Sequence, residues 1–331
     1  MKILVIQTAF IGDVILATAL LEKIHESIPH SEIDFLVRKG NEGLLKEHPL
    51  INDCIVFNKK GGKYRNLIKL IRKIRGKNYD YVINAQRFFT TGLITVLSGA
   101  KKTIGFNKNP LSFLFSTSVE HIISAENEGE VHEIDRNNSL IKSITDGPSK
   151  KPRLYPTKNE FESVQKYKSE TYICIAPTSV WFTKQFPRNK WIEFLNRVDE
   201  DLKVYLLGAP SDKEDCETLL LATKHNKIEN LSGQLGLLAS AALMRDAKMN
   251  YVNDSAPMHL ASAMNAPVCA VYCSTIPQFG FGPLSDKSYV IENTSKLDCR
   301  PCGLHGHRAC PQNHFKCAQD IDVDQLARLL D

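Results

Sequence analysis

Residues Tyr251 to Ser274 read YVNDSAPMHLASAMNAPVCAVYCS, and this stretch decides the fold. A short apolar step, Tyr251-Val252, stops at Asn253-Asp254-Ser255. Pro257 stands where a first helical turn begins, a place where its missing N–H costs nothing. Met258 to Met264 are good helix formers, Asn265-Ala266-Pro267 ends them, and Val268 to Tyr272 reads as a second buried strand. Asp254 or Ser255 is the expected N-cap, because a short side-chain oxygen accepts the unpaired N–H groups of the first turn. The pattern is strand, tight turn, helix, strand. It gathers N–H groups and a positive dipole end where the first strand stops, as a phosphate requires. Most turns of this kind hold no ligand, so this geometry alone does not assign one.

Working outward, the same alternation runs through both halves. Lys2–Gln7 (KILVIQ) is a strand apolar enough to be buried on both faces of a parallel sheet. Thr8–Asp13 is the turn after it, and Val14–Ile28 carries apolar residues at helical spacing. Strands are expected at Glu32–Val37, Asp53–Phe57, Tyr79–Asn84 and Thr103–Phe106. Short helices are expected near Glu42–Lys46 and over His132–Ile141. The second half restarts at Tyr172–Ala176, with further strands at Lys203–Leu207 and Ile228–Leu231. Its expected helices are Lys190–Val198, Asp212–Thr223, Gly236–Asp246 and a closing one at Asp322–Leu330. Thr145–Lys158 holds three prolines and a glycine among polar residues and reads as the linker. This rhythm predicts an α/β chain of two Rossmann-like, doubly wound domains, residues 1–150 and 151–331. The dinucleotide signature G-x-G-x-x-G is missing after the first strand, where Gly12 stands alone, which argues against an ordinary NAD site.

The 331 residues carry 42 Lys+Arg against 37 Asp+Glu, and the excess is uneven. Residues 1–150 hold 21 basic and 16 acidic side chains, while the remainder holds 21 of each, so all of the +5 lies in the first half. That half is expected to meet an anionic partner. Lys59–Lys77 contains nine basic residues and no acidic one, with Leu67, Leu70, Ile71 and Ile74 at helical spacing. Such a basic amphipathic helix is either a solvated surface face or a cradle for phosphates or an anionic bilayer, at about 1 kcal/mol per Lys or Arg near the membrane. Nucleic acid is not expected, because only Tyr64 interleaves with the charges. No apolar run approaches the roughly 18 residues of a membrane span, and Asp13 interrupts what could pass for a signal peptide. A cytoplasmic location follows as the expectation. The tail groups Cys299, Cys302, Cys310 and Cys317, a set that is either a structural zinc site or packed free thiols. Thiols are expected more than zinc, because the second pair is wider than in a zinc ribbon.

Taken together, four motifs resemble one family. They are Gly12-Asp13 with Thr18 after the first strand, Lys184 before Phe186-Pro187, Asp254-Ser255 with Met258-His259-Leu260-Ala261, and the Cys299-Arg300-Pro301-Cys302 … Cys310-Pro311 tail. In this order they are similar to the heptosyltransferases of lipopolysaccharide core assembly, family 9 glycosyltransferases, over nearly the whole chain. The resemblance implies a GT-B architecture, two Rossmann-like domains facing across a cleft with acceptor on the first and nucleotide sugar on the second. It implies inversion at the anomeric carbon and no required cofactor or metal. The implied catalytic residues are Asp13, as base, and Lys184. Asp13 read from sequence alone is equally the N-cap of the helix from Val14. Donor contacts are expected at Thr178, Ser179, Lys184, Asp254, Ser255, Ala256, Met258 and His259, and acceptor contacts at Gly12, Arg65, Lys69 and Arg87.

The implied donor is a nucleotide sugar, ADP-heptose first, and the implied acceptor an anionic glycolipid. The enzyme would then lie at the inner face of the inner membrane as a peripheral protein. Two departures point to the alternative, a GT-B enzyme using another nucleotide sugar in surface glycan assembly. Ala256 stands where family members often have glycine, and Gly208-Ala209-Pro210-Ser211-Asp212 lacks the glutamate that some members place after the glycine.

Overall fold

The computed structural model describes residues 1–123 and 131–330. It divides into two compact units, Met1–Tyr155 and Pro156–Asp331. In the first, strands β1 (Lys2–Ile6), β2 (Glu32–Arg38), β3 (Asp53–Phe57), β4 (Tyr81–Asn84), β5 (Lys102–Phe106) and β6 (Thr117–Val119) form one sheet in the order β3-β2-β1-β4-β5-β6. In the second, β7 (Tyr172–Ala176), β8 (Lys203–Leu206), β9 (Ile228–Asn230), β10 (Asn250–Asn253), β11 (Val268–Tyr272) and β12 (Ser288–Glu292) form another, in the order β12-β11-β10-β7-β8-β9. Every pairing is parallel. Counted from each unit's own first strand, both orders are 3-2-1-4-5-6, the Rossmann order, whose direction reverses between strands one and four. Ligands in such sheets bind beyond the carboxyl ends of those two strands, here β1 and β4, and β7 and β10.

The helices of the first unit are α1 (Ile11–Ser27), α2 (Lys63–Arg75), α3 (Phe89–Val96) and α4 (Glu133–Ser139). Those of the second are α5 (Lys158–Val164), α6 (Arg188–Leu195), α7 (Lys213–Ala222), α8 (Leu237–Arg245), α9 (Ala256–Ala263), α10 (Lys316–Gln319) and α11 (Asp324–Ala327). Among the described residues no helix is long and apolar enough to cross a membrane. β1 explains its apolar run, since Ile3 to Ile6 are wholly buried between two neighbours. α1 is buried from Val14 to Leu21 on every face, so its sequence lacks the polar stripe of a surface helix. In the second unit Trp191 stands edge-on to Phe186 at 5.0 Å, and Phe194 meets Tyr251 at 4.5 Å, tying α6 to the sheet.

Several expectations move. Helix α1 begins at Ile11, three residues before Val14, so Asp13 is inside the first turn and Phe10 is the N-cap. The stretch Glu42–Leu45 is a single 3₁₀ turn rather than a helix. Elements α3, α5, α10, β6 and β12 were not expected. β6 and β12 are sheet-edge strands, exposed enough that their apolar signal is diluted. The closing helix shrinks to α11. Much of the expected linker is packed on the first unit. Leu154 is buried, Arg153 N–H donates to Thr18 Oγ1 (3.0 Å), and Tyr155 Oη donates to Glu22 Oε1 (2.8 Å). Thr18 thereby acts as an anchor for the chain leaving this unit.

Candidate functional site

At the switch point of the first unit, Asp13 occupies the third position of α1 and its Oδ2 accepts the Phe10 N–H at 3.1 Å. The carboxylate therefore closes the helix start from inside, and capping does not exclude a proton-accepting role, since one carboxylate offers about four acceptor sites. Beside it lies a buried ion pair that the sequence did not reveal. Arg136 Nε donates to Glu133 Oε2 at 2.7 Å, and Arg136 also donates to Val131 O at 2.6 Å. Burial raises the Glu133 carboxyl above its usual range. Arg136 opposes this, Asp13 adds to the rise, and Arg87 opposes it more weakly. Asp13, Arg87 and Glu133 thus share one electrostatic neighbourhood. Its floor is polar: Thr8 Oγ1 donates to Gln86 Oε1 (2.6 Å), and Lys59 Nζ donates to Thr8 O (3.0 Å). Gly12 lies in the same first turn as Asp13.

Arg65 and Lys69 stand exposed on α2, the helix after β3. The nine-residue basic run is not one uniform face. Lys77 bonds Asp34 (2.7 Å) and Asp53 (2.6 Å), Lys73 reaches Asp53 (3.3 Å), and these contacts hold the Asp53 carboxyl below its usual value. The sequence hid this because both carboxylates come from other strands. Leu67, Leu70 and Ile74 are buried as the helical spacing predicted. Tyr64 and Ile68 are exposed on the outer side, at 77% and 51%.

At the switch point of the second unit, Lys184 ends a 3₁₀ turn after β7, and its Nζ lies 2.6 Å from Asp254 Oδ2. Asp254, immediately after β10, also accepts the Thr275 hydroxyl at 2.6 Å. Both carboxylate contacts are well buried, with Thr275 at 1% and Asp254 at 6% exposure. Such charge-assisted bonds are shorter and stronger than neutral ones. Asn253, wholly buried, fixes the turn after β7, residues 177–187, to this point. Its Nδ2 donates to Pro177 O (2.9 Å) and Thr178 O (3.3 Å), and its Oδ1 accepts Phe186 N–H (2.8 Å). Ser179 O accepts from Gln185 Nε2 at 2.6 Å.

Ser255 is the N-cap of α9, yet neither it nor Asp254 caps through its side chain, contrary to the expectation for this turn. Asp254 is spent on Lys184 and Thr275. The two N-terminal residues Ala256 and Pro257 precede Met258, whose N–H goes to Ser255 O (3.1 Å). The Met258 side chain is wholly buried, with its sulfur 3.4 Å from the Tyr272 hydroxyl, which donates to Phe281 O at 2.9 Å. His259 is buried on the same helix at 6% exposure.

The tail cysteines are uncrosslinked, as are the other five. Among the described residues no group of three or more His, Cys, Asp or Glu is arranged to hold a metal ion. Burial pushes the Cys317 thiol up to about 12. Residues to which the sequence reading gave no role are Asn253, Thr183, Ser274, Thr275, Arg300, Glu133 and Arg136. Thr275 was within reach, because it follows the carboxyl end of β11. Asn253, Thr183, Ser274 and Arg300 act through contacts with residues far off in sequence, while Glu133 and Arg136 pair within one turn of α4.

A family model described as glycosyltransferase family 9 (heptosyltransferase) matches residues 67–309. Lipopolysaccharide heptosyltransferase 2 of Escherichia coli K12 is 25% identical over 312 residues, 88% of each chain. The solved structure of the E. coli ADP-heptose lipopolysaccharide heptosyltransferase II superposes with a TM-score of 0.80 at 23% identity, over 100% of this chain and 97% of that one. The E. coli heptosyltransferase WaaC with ADP gives 0.75 at 19% identity, over 100% and 99%. Both structural likenesses establish the shared GT-B fold.

Proposed function

The chain belongs to glycosyltransferase family 9, and we propose that it is an inverting, metal-independent transferase that moves heptose from ADP-heptose onto an anionic glycolipid of the lipopolysaccharide core. The observation that carries this is the Lys184–Asp254–Thr275 arrangement at the start of α9. Breaking a sugar–diphosphate bond delivers negative charge to the departing diphosphate. A fixed ammonium and the N–H groups at a helix start are preorganised to receive it. Lys184 is the cation, and Thr178, Ser179, Ser255, Ala256 and His259 are the surrounding donor contacts. Donor is accordingly assigned to the second unit and acceptor to the first.

In the reaction, the acceptor hydroxyl oxygen attacks the anomeric carbon as the carbon–oxygen bond to the diphosphate breaks, and the electron pair leaves with the diphosphate. The hydroxyl proton passes to the Asp13 carboxylate. Attack from the face opposite the leaving group inverts the carbon. Gly12 allows close approach beside Asp13, and Arg65, Lys69 and Arg87 bind phosphates or carboxylates of the acceptor. The exposed cations and the apolar Tyr64 and Ile68 of α2 support a peripheral site at the inner face of the inner membrane.

The second reading keeps the fold and changes the donor to another nucleotide sugar. The Asp212 carboxylate, near where some members carry glutamate, accepts the Ala209 N–H at 2.7 Å and so closes its own turn. A thermal-shift panel of ADP-, UDP-, GDP- and CMP-linked sugars without added metal separates the two. Selective stabilisation by ADP-heptose supports the first reading, and selective stabilisation by a non-adenine nucleotide sugar sinks it in favour of the second.

A further inference from the structure

The tail beyond β12 has no part in the mechanism above, yet it is stitched to both arms that meet at Asp254. On one arm, Thr183 directly precedes Lys184. Thr183 N–H donates to His307 O (3.1 Å), and Thr183 Oγ1 accepts the His307 N–H (2.7 Å). On the other arm, Ser274 directly precedes Thr275. Ser274 O accepts the Cys302 N–H (2.8 Å), and Arg300 donates to Thr275 O (2.8 Å) while pairing with Glu292 (2.5 Å). The arms are also tied to each other, since the Ser274 hydroxyl donates to Thr183 Oγ1 at 3.0 Å. Thr183 and Ser274 are almost fully buried.

Gly306 closes the ring. Its φ of +71° suits glycine, and a Cβ there would stand 2.8 Å from Thr183 Oγ1, 3.1 Å from Ser274 Oγ and 3.3 Å from Lys184 Cγ. The tail backbone therefore lies directly against the stem of Lys184.

We propose that residues 300–307 form a buckle that sets the Lys184–Asp254–Thr275 geometry for a diphosphate, with Arg300 and Thr183 as positioning residues. The proposal rests on the donor-site reading. A contact that only holds the fold together affects every ligand of the unit equally. A contact that aims Lys184 affects the diphosphate and spares the nucleoside.

The test is calorimetric binding of ADP, UDP and GDP and of the matching monophosphates to the full chain. In Thr183→Val, which keeps the shape and removes the hydroxyl, affinity for the preferred diphosphate is expected to fall about tenfold, the scale of one lost hydrogen bond in a charged site. Affinity for the matching monophosphate is expected to stay within about twofold, well below that scale. Arg300→Gln should behave alike. Thr183→Ser should restore the diphosphate preference. Equal loss of both ligands in both variants, or unchanged diphosphate binding, overturns the buckle and leaves the donor site standing. A wild-type chain that binds none of the three diphosphates overturns the donor-site reading and the buckle with it.

Discussion

The two units share one strand order and place their candidate site residues at the same topological point, but they furnish it differently. In the second unit the carboxyl ends of β7 and β10 are closed by a buried lock, Lys184–Asp254–Thr275, held by the tail and by Asn253. In the first unit the ends of β1 and β4 carry Asp13 and Arg87 near a buried Glu133–Arg136 pair, and the surrounding side chains Phe10, Phe88 and Phe89 are exposed. One edge holds a cation fixed by a buried carboxylate, while the other leaves apolar and basic side chains open. Under the proposed reaction, the fixed edge would meet the departing diphosphate and the open edge the acceptor. Strand order sets where a site lies, and the loops decide what it does.

The largest expected effect sharpens that contrast. Asp13→Ala should lower turnover by about 10²- to 10⁴-fold, the usual worth of a general base, while nucleoside diphosphate binding stays intact. Turnover close to wild type in a steady-state assay would remove Asp13 from the chemistry. Next, Lys184→Ala should cost about 10²- to 10³-fold in kcat/KM for the donor, as loss of one preorganised electrostatic contact does. A variant that alters only the acceptor KM would break the division of labour between the units.

A smaller effect is expected from Arg65→Glu with Lys69→Glu, which should raise the acceptor KM by about tenfold and leave the donor KM unchanged. Binding of the same variant to anionic vesicles should weaken and lose its salt dependence. Vesicle binding equal to wild type would make the α2 face a solvated surface.

The smallest effect concerns stability and separates the units by their own groups. Burial lowers His48 and His121 of the first unit from 6.5 to about 4. A folded value below the unfolded one means that protonation favours the unfolded chain. Their contribution is fully present above about pH 6.5 and is lost as pH falls toward 4. Both tryptophans, Trp181 and Trp191, lie in the second unit. On acidification, far-ultraviolet dichroism should therefore begin to fall before tryptophan emission shifts. Simultaneous change in the two signals would mean that the units do not differ in acid sensitivity.

What the sequence made legible follows from local physics. The apolar runs KILVIQ and VCAVY announce central parallel strands, because a strand covered on both faces has no polar alternation to show. The NDSAP turn announces a helix start at a strand end, and the spacing of Leu67, Leu70 and Ile74 announces the buried side of α2. Asp13, Lys184 and Asp254 were accessible because each follows a strand within a motif of the family. The edge strands β6 and β12 were not, since both are largely exposed and β6 is only three residues long. The ion-pair partners of Lys73 and Lys77 were not legible, because sequence spacing does not tell which neighbour a side chain will meet.

The chain's order of apolar runs and turns by itself determined two doubly wound units and the strand ends where chemistry would sit. Only the tertiary structure decided that Asp254 spends its carboxylate on Lys184 and Thr275 rather than on the helix it precedes. It also showed that Glu133 and Arg136 lie buried near Asp13, and that a cysteine-bearing tail holds Thr183 and Ser274 together. The reason is physical. Strand and helix signals arise from periodicity within about ten residues. A buried hydrogen bond or ion pair joins groups from any two points of the chain, and its partner is chosen by packing, where an unpaired polar group is costly.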